Sequence, residues 1–398
     1  MSALGRALKS AVPSLGLLLA SLIISLLAAE VLVRLFFPHS SAAVPASKVL
    51  VHEASDNLKL LYKPSPGMAN QAYGVWNRIN SAGFRDREFQ TKKPAGVKRI
   101  VFLGDSVVYG YGIESEGTIP KELEKIFREN GQPVEVLNFG VSGYETEQSV
   151  EFFKTTALAF QPDLVIVGYT LNDSIYASME LDFFHDQLGR RVRLERKEFR
   201  KRFWGFLFRH SRLMSFLDER LQLQKNFKHF RSYEDKDIWH YLEDRNIASR
   251  DPMNSPYQQL RTAIEKEAAE KGTSAKGLRS MLGFLGIGND LFYASHWNVS
   301  QKALLELQRL SGDNGFSLAA VIFTYMAEPE HYALDPAHDF LKAQFSGMGI
   351  KNLEVRSEVF EAWKREGREA IMNDPIHFTA RGGEVVAKAL YGQIKDSL

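Results

Sequence analysis

Hydrophobic and polar positions fall along this chain in blocks of very different length. The longest comes first: no charged residue interrupts positions 10–29. A helix of that length, at about 1.5 Å per residue, crosses the ~30 Å hydrocarbon core of a bilayer. Arg6 and Lys9 precede the run, and Glu30 and Arg34 follow it, where a long arginine can snorkel to the far interface. Two readings of residues 1–38 stay open. One is a retained transmembrane anchor, which the length of the run favours; the other is a cleaved signal peptide, for which 43–46 is a poor cleavage site. Basic residues on the amino side put the amino terminus in the cytoplasm and everything after Pro38 outside it, in the periplasm or the extracellular space.

After position 98 the pattern changes. Short apolar runs at 100–103, 134–139, 164–167 and 318–323, and a weaker one at 353–355, have the length of strands. They are continuous rather than alternating, as in a parallel sheet covered on both faces. Between them lie stretches of helical length at 118–130, closed by Gly131, at 147–160, stopped before Pro162, and at 300–310 and 383–394. Strand and helix in alternation predict a doubly wound α/β fold, a three-layer α/β/α parallel sheet with right-handed crossovers.

Two segments depart from that rhythm. Residues 39–97 form a juxtamembrane portion in which 40–46 is small and polar like a linker, whereas 58–62 and 73–79 are apolar and aromatic enough to dock on the domain that spans 98–398. Residues 174–300 break into charged, helical pieces, 211–226 and 257–271 among them, and read as an insertion hung on the sheet. Within it, 190–212 interleaves Lys and Arg with Phe199, Phe203, Trp204, Phe206 and Phe208. A solvated amphipathic helix, contact with anionic headgroups and contact with a polyanionic glycan are all open for this stretch.

Composition narrows the function classes. With 398 residues, 44% hydrophobic and 25% charged, the chain is long enough to bury a full α/β core. A formal net charge of +2 argues against a nucleic-acid partner, and the absence of cysteine excludes disulfides, thiolate catalysis and Cys-ligated zinc. Ten histidines are scattered without metal-ligand spacing, and no Gly-x-Ser-x-Gly elbow, Walker A loop or His-Glu-x-x-His appears, so no metal or cofactor is expected.

Four short blocks carry the candidate chemistry. Gly104-Asp105-Ser106 ends the first strand, Asn138-Phe-Gly-Val-Ser-Gly143 follows the second, Thr170-Leu-Asn172-Asp173 the third, and Asp374-Pro-Ile-His377 precedes the last helix. A serine at a strand's carboxyl end sits where open α/β sheets bind ligands. Its hydroxyl needs a base held by a third group, and Asp374 and His377 are close enough in sequence to supply both from one loop. Asp335-Pro-Ala-His338 repeats that spacing but lacks the Phe378-Thr379-x-x-Gly382 continuation and the terminal helix, and is expected to be a surface turn.

In this order the blocks resemble the SGNH (GDSL-type) hydrolase family, over about 98–178 and 315–397. The segment from Asn80 to Arg87 is similar to one that precedes the catalytic domain in membrane-anchored members. The resemblance implies a flavodoxin-like fold, Ser106 as nucleophile, His377 as base and Asp374 as its partner. It also implies an oxyanion hole built from the backbone N–H of Ser106 and of Gly143 and from the Asn172 side chain. Gly140 is expected to serve the turn, and Asp105 and Asp173 to organise turns rather than catalyse. Thr170 departs from the glycine usual at that position, which bears on loop geometry and pocket size. The expected activity is a serine esterase removing or transferring a small O-acyl group, acetyl on a cell-surface glycan. A lipase or thioesterase acting on lipid esters, and a catalytically idle glycan-binding or assembly protein, are the alternatives.

Overall fold

The computed structural model describes residues 3–36, 51–173 apart from positions 56, 58, 61 and 73, residue 213, 256–285, 297–323, 325 and 329–398. The linker at 40–46, the helical piece at 211–226 and the basic aromatic stretch at 190–212 therefore lie outside or almost wholly outside the described residues. The chain divides into two compact units, one of residues 1–45 and 190–241, the other of 46–189 and 242–398.

The first unit contains helix α1, Ala3–Phe36. Its stretch Gly16–Val33 is long and apolar enough to cross a membrane, and side chains such as Leu17, Leu18, Ile23 and Ile24 are exposed along it. An anchor and a signal sequence share this form.

The second unit opens with two small antiparallel hairpins, β1 His52–Ala54 with β2 Tyr62–Pro64, and β3 Ala69–Ala72 with β4 Val75–Arg78. The main chain then alternates: β5 Lys98–Gly104, the one-turn helix α2 Ser106–Tyr109, α3 Ile119–Glu129, β6 Val134–Gly140, α4 Thr146–Thr155 and β7 Leu164–Thr170. Helices α5 Pro256–Glu270, α6 Ala275–Phe284 and α7 Trp297–Asn314 follow, then β8 Ser317–Phe323, α8 Asp335–Gly347, β9 Lys351–Leu353, α9 Arg356–Glu366, α10 Arg368–Ile371 and α11 Ala380–Ile394. Five strands form one parallel sheet in the order β6-β5-β7-β8-β9. The order reverses at β5, so the crevice where such sheets bind ligands opens at that strand's carboxyl end.

Continuous apolar strands demand cover on both faces, and both are covered. On one face Leu123 and Phe127 of α3 and Val386 and Leu390 of α11 pack on Ile100 and Phe102. On the other, Phe152 and Phe153 of α4 meet Phe139 and Phe316 with ring centroids 5.5 and 5.3 Å apart, and Lys154 pairs with Glu306 of α7 at 2.7 Å. The fold is thus the three-layer α/β/α arrangement that the alternation predicts.

Differences lie at element ends and have local causes. Helix α4 begins at Thr146 because Glu145 and Gln148 cap each other's backbone, and it stops at Thr155, with a 3₁₀ turn at Ala157–Phe160 replacing its expected last turn. Strand β9 covers Lys351–Leu353 rather than 353–355, since Val355 caps α9 and its apolar side chain enters the core from there.

Residues of the segment before β5 lie against the sheet domain. The Tyr62 hydroxyl donates to the Ser142 carbonyl at 2.7 Å, the Tyr144 hydroxyl to the Tyr62 carbonyl at 2.5 Å, and the Gln148 side chain to the Leu60 carbonyl at 2.9 Å. Phe84 stacks on Phe139 at 4.2 Å.

The platform beneath α2 is made of missing side chains. Gly104 lies level with Gly140 on one neighbouring strand and Gly168 on the other. A Cβ on Gly104 or Gly168 would stand 2.5 Å from Val108 Cγ2, and one on Gly140 would stand 2.3 Å from the Tyr109 backbone nitrogen. Gly140 thus ends β6 and admits the backbone of α2, which corrects its expected role in the turn. Gly140→Ala is expected to cost about 1–3 kcal/mol in stability by overpacking and to lower ester turnover by lifting α2; thermal melting and turnover measured together check this.

Candidate active site

Strand β5 delivers Asp105 and Ser106 to its carboxyl end. The Asp105 carboxylate accepts from the Val107 backbone N–H at 2.9 Å and so caps α2, fixing Ser106 as its first residue. The helix ends after one turn at Gly110, whose φ of +82° suits glycine, and the N–H groups of Gly110 and Tyr111 both donate to the Ser106 carbonyl at 3.0 Å.

The partners arrive from the loop before α11. Asp374 Oδ1 accepts from the backbone N–H of Ile376 at 2.7 Å and of His377 at 2.8 Å, a local turn that leaves Oδ2 free to meet His377 Nδ1 at 2.7 Å. The far nitrogen, Nε2, lies 2.8 Å from Ser106 Oγ. Asn373 pins the base of the loop: its N–H donates to the His377 carbonyl and its side chain to the Phe378 carbonyl, both at 2.8 Å. Thr379 then caps α11 through the Gly382 N–H. An ionised Asp374 only accepts, so the imidazole proton resides on Nδ1 and Nε2 is left to accept from the Ser106 hydroxyl. Burial works against that ionised form, yet the bonds from His377 and from two backbone N–H groups hold the Asp374 carboxyl below its usual range.

Loops from the two strands beside β5 flank Ser106. Gly143 follows β6 with φ +84°, and Asn172 follows β7, half-buried, with its Oδ1 buried and without a hydrogen-bond partner among the described residues. Thr170 is the last residue of β7 and is fully buried; its carbonyl accepts from the Asp173 N–H at 2.8 Å. Among the described residues only Gln161 is a non-glycine with positive φ, so the threonine in place of the usual glycine leaves the turn unstrained.

Two further carboxyls sit behind the site. Burial pushes the Asp105 carboxyl up, against the pull of the Val107 N–H and of nearby His377. Burial, and then the charge of Asp105, push Asp173 well above the usual range, and the Thr146 hydroxyl donates to it at 3.2 Å. The environment thus separates the acids: burial works upward on the two behind, and hydrogen bonds hold the one facing His377 low.

The second Asp-x-x-His pair is placed quite differently. Asp335 opens helix α8 instead of a surface turn, because Pro336 suits the first turn of a helix as readily as a loop. Its carboxylate pairs with Lys271 at 2.7 Å and with Arg356, while His338 is 2% exposed and bonds the Tyr332 hydroxyl at 2.5 Å. Burial, helped by the charges of Arg356 and Lys342, pushes His338 down to about 3.

One neighbour of the site has no block motif to reveal it. Tyr111 stacks on the His377 ring with centroids 4.4 Å apart and planes 25° apart. Its only trace in the sequence is an aromatic between two glycines, Gly110-Tyr111-Gly112.

Comparison with known proteins adds the following. The profile of the GDSL-like Lipase/Acylhydrolase family matches residues 102–281. That span includes Ser106, Gly143 and Asn172, runs through part of the insertion and ends before Asp374 and His377. Among solved structures the chain is similar to the acetyl xylan esterase AlAXEase, with 10% identity over 74% of this chain and 99% of that one and a TM-score of 0.37. It is similar to a mutant of Axe2, an acetyl-xylooligosaccharide esterase from Geobacillus Stearmophilus, with 11% identity over 75% and 94% and a TM-score of 0.38. It is also similar to TesA, with 11% identity over 76% and 100% and a TM-score of 0.37. The comparison with curated proteins finds no match.

Proposed function

We propose that this chain, which belongs to the SGNH (GDSL-type) family of ester-hydrolysing enzymes, removes a small O-acyl group from a cell-surface glycan through Ser106, His377 and Asp374. The observation that carries the mechanism is the unbroken hydrogen-bonded line from Ser106 Oγ through His377 to Asp374, at 2.8 and 2.7 Å. As Ser106 Oγ attacks the acyl carbonyl carbon, His377 Nε2 takes its proton, and Asp374 steadies the imidazolium. Backbone N–H groups of Ser106 and Gly143 and the Asn172 amide receive the oxyanion. The imidazolium then returns its proton to the leaving alkoxide, and water, activated by the same histidine, releases the acyl group from Ser106.

Helix α1 supports the choice of a surface substrate. In this reading it is retained as an anchor, with Arg6 and Lys9 on the cytoplasmic side and the catalytic unit outside. Turnover across acetyl, butyryl and longer esters tests the acyl group. Short chains are expected to be preferred by tenfold or more, the order of discrimination that pocket size supplies. Preference for long chains would replace the glycan with a lipid ester, and acyl product on an added glycan would make the enzyme a transferase.

A further inference from the structure

We propose that Arg85, thirteen residues before β5, is a positioning residue for the nucleophile. The proposal rests on Ser106 acting as described above. Arg85 is 1% exposed, and among the described residues no carboxylate lies within ion-pairing distance of its guanidinium. Its hydrogen bonds go to backbone carbonyls instead: Nη1 donates to Tyr109 at 2.6 Å and Gly110 at 3.0 Å, and Nη2 to Ile113 at 2.6 Å and Trp76 at 3.3 Å. The cation also stands over the Tyr109 ring, 4.7 Å from its centroid.

The position of those carbonyls explains what the guanidinium does. A helix of one turn cannot satisfy its own last carbonyls, and α2 ends in a buried loop where water cannot serve them. Gly110 and Gly112, at φ +82° and +72°, reverse the chain so that the carbonyls of 109, 110 and 113 converge on one point. The planar fork of five N–H donors serves four carbonyls at once, one more than the three donors of an ammonium could. The site is tight, since a Cβ on Gly110 would already stand 3.2 Å from Nη1.

The same loop carries Ser106 and touches His377. Its first turn begins at Ser106, and Tyr111, between the carbonyls that Arg85 holds, stacks on His377. Arg85 therefore sets the distance between Ser106 Oγ and His377 Nε2 without touching either. Small displacements of such groups cost on the order of 10²-fold in rate.

The test uses the full chain in detergent and compares wild type, Arg85→Lys, Arg85→Ala and, as a control, Ser106→Ala. Arg85→Lys is expected to melt cooperatively and to lose kcat by about 10- to 100-fold with KM within about twofold. Millimolar methylguanidinium is expected to restore part of the Arg85→Ala rate, and methylammonium to restore none. Wild-type kcat in folded Arg85→Lys and Arg85→Ala would overturn the proposal. So would an Arg85→Lys protein that does not fold, because Arg85 would then serve folding alone. Activity persisting in Ser106→Ala would instead defeat the serine mechanism, an outcome separate from either of these.

Discussion

Ser106→Ala is expected to lower turnover of a small activated acetyl ester by about 10³-fold or more, the scale seen when a triad loses a member, with the melting temperature essentially unchanged. The fold does not need the hydroxyl: the cap of α2 is the Asp105 side chain, the helix closes through the Ser106 carbonyl, and among the described residues the hydroxyl itself meets only His377 Nε2. Alanine is also a good residue for a helix's first turn. What disappears is the atom that forms the acyl bond. A residual rate from the oxyanion donors acting on water is compatible with this. Wild-type turnover in the purified variant would refute Ser106 as nucleophile, and labelling of wild type by a fluorophosphonate at any other serine would reassign it.

The parts of this enzyme legible in its sequence are those encoded locally. Strands β5, β6 and β7 announce themselves because both faces are buried and each therefore carries an apolar run, and the blocks follow where those runs stop. The Asp374 turn is legible for the same reason, since its hydrogen bonds span three residues. Glycine is ambiguous by nature. At Gly140 its value is a missing Cβ against Tyr109, thirty-one positions away, and nothing beside it in the chain distinguishes that from a flexible turn. Val355 has the apolar character of a strand residue, yet it meets the core from a helix cap. Arg85 and Tyr111 are harder still, because the carbonyls and the ring they meet converge only in the folded chain. Asp335-Pro-Ala-His338 shows the limit of spacing as evidence. The same four-residue pattern makes a loop at Asp374 and the first turn of a helix at Asp335, and only the folded chain shows which histidine meets a serine.

Replacing the two histidines in turn is expected to separate chemistry from stability. His377→Ala removes the acceptor 2.8 Å from Ser106 Oγ and is expected to cost about 10³-fold or more in kcat, as other triad bases do. Its effect on melting should be small, because the imidazole lies near the surface and the loop stays pinned by Asn373 and by the Asp374 turn. His338→Ala should do the reverse. Buried beneath Tyr332, and pushed down to about 3 by burial and two nearby cations, that imidazole is neutral at working pH and, among the described residues, has no serine bonded to it. Its removal leaves a cavity and takes one hydrogen bond from the tyrosine hydroxyl, together worth about 2–4 kcal/mol, so the melting temperature should fall by several degrees while kcat holds within about twofold. Thermal melts and turnover on the same preparations decide the matter. Activity lost in a folded His338→Ala protein, or kept in His377→Ala, would reverse the assignment of the base.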